Sequence, residues 1–138
     1  MRRLIPAIFV VALLLDACFR QASAQDARAL NQLSSEAVQC AAFYSIMART
    51  MELEGVPAVE QRFKKLNEKA LSHALVYAKE AGLMQETVGA RFKMALENMM
   101  KRTGKQASNI SILMADYKDL CLEATNNPTA RIQYWSGR

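Results

Sequence analysis

Few side chains in this 138-residue sequence carry chemistry beyond packing: Cys18, Cys40 and Cys121, a lone His73, eight methionines and an aromatic tail around Trp135. The cysteines are the most informative. If Cys18 is lost with an export signal, Cys40 and Cys121 remain, and an even pair in an oxidising compartment reads as a disulfide. The bond would close a loop of 81 residues. That removes on the order of 4 kcal/mol of unfolded-state entropy, a large share of the stability of a small domain. As a metal site, the same two thiols would have only His73 to add an imidazole, which is thin ligation for zinc.

No catalytic constellation accompanies them. With one histidine, any triad, acid–base pair or multi-histidine centre would have to be built on His73 alone. There is no Gly-x-Ser-x-Gly elbow and no glycine-rich phosphate loop. Glu52, Glu54 and Glu60 crowd one connection without forming an Asp-x-Asp-x-Asp-Gly loop for calcium. The Cys-x-x-Cys-His haem signature is absent as well. The chain is therefore not expected to be an enzyme, and no cofactor is expected.

Two sets of residues suit binding. Thr129–Arg138 carries the only tryptophan, and Arg131, Ile132, Tyr134 and Trp135 are of the types that anchor protein interfaces. The same tail can instead fold back as a lid, with Ile132 and Trp135 against the open end of the domain. The second set is Met47, Met51, His73, Met94 and Met99. Thioethers hold Cu(I), and a Met-lined interior adapts to apolar ligands, so these residues define an alternative reading as a carrier. Methionine is also a common filler of cores. Lys64, Lys65 and Lys69, and then Lys101, Arg102 and Lys105, make two basic clusters suited to anionic partners or phospholipid headgroups. Asn109-Ile110-Ser111 matches a glycosylation sequon that matters only in a eukaryotic secretory pathway.

These residues must be positioned by helices. Gly55-Val56-Pro57, Gly82 and Gly104 each follow a stretch rich in Ala, Leu, Met, Glu and Lys, as expected of glycine past a helix end and proline in the next first turn. The spacing predicts helices over 27–53, 57–81, 84–103 and 107–125, and Asn127-Pro128 starts a short fifth running to Gly137. Leu30, Leu33, Ala37, Cys40, Tyr44, Met47 and Met51 form a seam on the first. Val59, Phe63, Leu66, Ala70 and Tyr77 form the second, with His73 in its gap. Val88, Phe92, Ala95, Met99 and Thr103 form the third, and Ile110, Leu113, Tyr117, Leu120, Cys121 and Ala124 the fourth.

Short connections make an antiparallel up-down four-helix bundle, with a short C-terminal helix, the economical all-α fold. Cys40 then lies roughly 20 Å before the end of helix 1 and Cys121 roughly 21 Å past the start of helix 4, so a disulfide between helices 1 and 4 fits that register.

The N-terminus supplies the compartment. Met1-Arg2-Arg3 and the uncharged run Leu4–Leu15 have the form of a secretory signal, too short for a lasting span. Ala22-Ser23-Ala24 offers signal peptidase small residues, whereas Asp16, two before Cys18, disfavours lipidation. Cleavage after Ala24 removes Arg2, Arg3, Arg20 and Asp16, turning 18 basic and 13 acidic residues into 15 and 12. A net charge of about +3 gives no reason to expect nucleic-acid binding. The expectation is a cleaved signal over 1–24 and one helical domain over 25–138, periplasmic or secreted. It would have no integral span and would bind another envelope or secreted protein, with peripheral membrane contact as an option. A lipoprotein anchored at Cys18 is the alternative.

Overall fold

The computed structural model describes the backbone of residues 7–104 and 109–138 and the side chains of 24–104 and 109–138. The cleavage and lipidation features of 1–23 and Lys105 of the second basic cluster lie outside the described side chains. Among the described residues the chain is entirely helical: α1 (Ala7–Leu53), α2 (Pro57–Glu80), α3 (Gln85–Arg102), α4 (Ile110–Asn126) and α5 (Pro128–Ser136). The expected boundaries hold to within three residues except at the start of α1. That helix begins well upstream of residue 27, because no glycine or proline interrupts the chain between Ala7 and Gly55.

Glycine ends α1 and α2 as the spacing predicts. Gly55 and Gly82 sit at φ 71° and 73°, the left-handed conformation that costs glycine little. Each is followed by a residue whose N–H reaches back into the last turn, Val56 to the Met51 carbonyl at 3.0 Å and Leu83 to the Ala78 carbonyl at 2.8 Å. These bonds satisfy carbonyls that the helix end would leave open and reverse the chain within a few residues.

α1 is the hub. Cys40, Ala41, Ala42, Phe43 and Tyr44 are all buried although they are consecutive, so this stretch is enclosed on every side and not only along one stripe. All four other helices pack on it. The α1–α2 contact is lined by alanines, with Ala37, Ala41, Ala70, Ala74 and Ala78 buried, and small side chains let the two backbones approach closely.

Two polar clasps fix their register. Ser34 Oγ donates to the Ala74 carbonyl at 3.0 Å, and Asn67 Nδ2 donates to the Ala41 carbonyl at 2.7 Å. Moving up α1 from 34 to 41 moves down α2 from 74 to 67, so these helices are antiparallel. Of the predicted seam residues, all are buried or half-buried except Val59, which stands at the margin.

The disulfide joins α1 to α4 as expected, with Cys40 and Cys121 Cα atoms 5.2 Å apart. Around it Phe43 stacks on Tyr117 with centroids 6.0 Å apart, and the Tyr44 and Thr125 hydroxyls lie 3.4 Å apart. Burial pushes the Tyr44 phenol up, and the Thr125 hydrogen bond opposes it. Tyr44, Phe43, Met99 and Leu113 are the largest fully buried side chains in this core. Among the described residues no helix is long and apolar enough to cross a membrane.

Candidate functional site

Two places stand out among the described residues, and a buried carboxylate organises the first, where Arg131 and Trp135 of the C-terminal tail meet. Glu36 projects from α1 with only 8 % of its surface exposed. Three donors from α5 converge on it. Arg131 Nε reaches Oε1 at 2.8 Å and Nη2 reaches Oε2 at 2.6 Å, while Trp135 Nε1 donates to Oε2 at 3.2 Å. A bidentate arginine–carboxylate pair is among the stronger charge-assisted contacts, and the indole adds direction. Hydrogen bonding to Glu36 holds the Arg131 guanidinium more firmly charged than usual, against the opposing effect of burial. Glu123 Oε2 on α4 lies 3.4 Å from Arg131 Nη1, so the same arginine ties three helices together.

The tail thus lies against α1. Trp135 packs edge-on against Tyr134, with centroids 5.0 Å apart, and the Arg131 and Arg138 guanidiniums each stand 4.3 Å from the centre of the Tyr134 ring. Arg131 and Trp135 spend their polar groups on Glu36, while Ile132 and Tyr134 remain exposed. Near the C-terminus Gln25 Nε2 donates to the Ser136 carbonyl at 3.4 Å. α5 therefore runs back along α1 toward residue 25.

The second place is an apolar cleft of about 180 Å³ between α1, α2 and α4. Phe43, Tyr44, Phe63, Leu66 and Met114 line its depth, Val59 and Leu122 stand exposed at its lips, and Arg62 and Lys118 add positive charge. Neither cation forms an ion pair among the described residues. Arg62 and Leu66 also line an adjoining groove on α2 with Lys65 and Lys69. No single sequence motif announces this cleft. Its residues come from three helices, and only the i, i+4, i+7 spacing of Val59, Phe63 and Leu66 and the place of Tyr44 in the α1 seam are legible in the sequence.

Of the five residues of the carrier reading, three gather in one core cluster and two stand apart from it. Met47 and Met99 are buried in the cluster around the disulfide, with Met51 packed against it. Met94 is 61 % exposed. His73 stands beside Tyr77, with ring centroids 6.2 Å apart, where burial and then Lys69 push its imidazole below the ordinary value.

The acidic crowd at the α1–α2 connection is partly neutralised, since Glu52 pairs with Arg49 and Glu60 Oε1 lies 2.6 Å from Lys64 Nζ. Arg102 of the second basic cluster pairs with Asp116. Asn109 of the sequon donates through Nδ2 to the Thr103 carbonyl at 3.0 Å. No protein-family model matches the sequence, and no curated protein sequence or solved structure is significantly similar to it.

Two outcomes follow from this geometry. Glu36→Ala leaves Arg131 half-buried without its main partner, at an expected cost of about 2–4 kcal/mol in chemical unfolding. Near-wild-type stability for E36A would mean that α5 is held by other contacts.

The His73 effect has a definite sign. Unfolded His73 titrates at its ordinary 6.5, while the folded protein takes up that proton only at lower pH. The unfolded state therefore binds more protons in between, so this contribution to stability is complete above 6.5 and falls away as the pH drops below it. Between about pH 7.5 and about pH 5, wild type should lose more unfolding free energy than His73→Gln, and equal losses would contradict the assignment.

Proposed function

We propose that this chain is an exported, non-enzymatic binding module whose contact face is the apolar cleft between α1, α2 and α4. In this reading residues 1–24 are a signal removed after Ala24. Residues 25–138 then form an antiparallel up-down four-helix bundle with a short fifth helix, working in the periplasm or outside the cell. A disulfide-bonded core suits that compartment. The antiparallel α1–α2 pairing and the connections of a few residues suit the bundle.

The observation that carries the proposal is the cleft itself. Exposed apolar side chains cluster at its mouth, with Val59 at 36 % and Leu122 at 37 % exposure, and two cations with no ion pair among the described residues flank them. Pockets of this size take one or two side chains, and buried apolar anchors dominate interface energetics. The partner implied is another envelope or secreted protein that presents an apolar side chain flanked by acidic residues. Lys65 and Lys69 in the adjoining groove extend the same charge preference. The exposed faces of Ile132 and Tyr134 on α5 supply a secondary surface.

A photo-crosslinking residue at position 122 or 62, in the full-length chain expressed in a secreting host, should yield one defined adduct with an acidic envelope protein. The same probe at Glu86, on the exposed start of α3, should not. Adducts of equal yield from all three positions, or none from 122 and 62, would contradict the assigned face. The recovered chain should begin at Gln25, and an acylated Cys18 would overturn the proposed route of export.

A further inference from the structure

A second cleft, also about 180 Å³ in volume, opens on another face between α1, α3 and α4. We propose that it binds a small organic carboxylate with an apolar body, and that Arg91 receives the carboxylate. This goes beyond the binding-module reading, and its test is independent of the other cleft.

The argument starts from Arg91 on α3. Its Nη2 donates to Asn31 Oδ1 on α1 at 2.8 Å, but its Nη1 is buried and has no hydrogen-bond partner. It is the one buried side-chain nitrogen or oxygen so placed among the described residues. Buried donors in folded proteins are normally satisfied, and an orphaned guanidinium nitrogen is costly, so such a group calls for an explanation. Among the described residues its one side-chain hydrogen-bond partner, Asn31, is neutral.

Arg91 is itself one of the residues that line the cleft. No acidic side chain is among its described lining residues, so the positive charge there has no counter-ion. Ser35, Gln39, Asn98 and Tyr117 offer neutral donors and acceptors, while Val38, Ala95, Met94 and Met99 form an apolar wall. A ligand matching both halves has an anionic end and an apolar body. Planar carboxylates fit the arginine fork in a way that neutral amides do not. The volume has room for on the order of ten non-hydrogen atoms, the size of an aromatic or short-chain monocarboxylic acid.

The proposal also accounts for Met94. It is too exposed to be a core filler, yet it stands on the rim of this cleft, where a flexible thioether can close over an apolar ligand.

The test is an NMR titration of the disulfide-intact chain with benzoate and hexanoate, using benzamide, hexanamide and inorganic phosphate as controls. Saturable shifts are expected at the amides of Ser35, Gln39 and Asn98 and at the Arg91 side chain, with affinities of about millimolar for ligands this small. The amides and phosphate should bind more weakly by roughly tenfold or more, because each lacks either the charge or the apolar body. Arg91→Met should stay folded, since it removes a guanidinium with one unsatisfied nitrogen, and should lose the carboxylate response. Gln39→Ala, on the exposed wall, should weaken binding without touching the core. Absence of saturable shifts with either carboxylate, equal binding of the amides, binding of phosphate in preference, or wild-type binding by both variants would each overturn the proposal.

Discussion

The bond between Cys40 and Cys121 is the constraint on which the C-terminal half depends. α4 meets α1 at this bond, with Phe43 against Tyr117 and Tyr44 against Thr125 close by. Holding α4 there creates the third wall of both clefts, through Met114, Lys118 and Leu122 on one side and Tyr117 on the other. It also aims α5 back along α1, so that Arg131 and Trp135 arrive at Glu36, one turn before Cys40. A crosslink across 81 residues suits this role, because it removes the many unfolded arrangements in which the distant segment is elsewhere.

The N-terminal half stands on different physics. α1 and α2 lock through small side chains at close range, and Ser34 and Asn67 lend directional bonds that an alanine interface lacks. A one-turn slip would break both clasps together and leave the buried Ser34 hydroxyl unsatisfied, so the register is specified by polar groups rather than by shape alone. The molecule therefore combines a non-covalent pair of helices with a covalently positioned α4.

Much of this was legible in the sequence, and the exceptions have physical causes. Glycine at 55, 82 and 104 marks helix ends because the left-handed turn demands it, and the seams follow from the helical period, so elements and core could be read directly. The disulfide followed from residue count and helix rise. The partner of Arg131 could not be read, because Glu36 lies 95 positions away and nothing in one dimension sets it apart from the chain's other glutamates. The enclosure of α1 was equally hidden: a seam describes one face, whereas Cys40–Tyr44 are covered all round by helices arriving from elsewhere. Met94 shared its type and helix with Met99 yet turned outward, since five residues along a helix reverse the facing. Both clefts draw on three helices each, and no local pattern encodes that.

The proposed binding function asks for a rigid frame that presents its clefts, and the disulfide is the central element of that frame. Hydrogen exchange of the chain, compared between its oxidised form and a Cys40→Ala/Cys121→Ala variant, tests that role most directly. The account predicts that amides of 110–136 lose protection while those of 34–78 keep most of theirs. Unchanged protection over 110–136, or loss in equal measure along the whole chain, would contradict it.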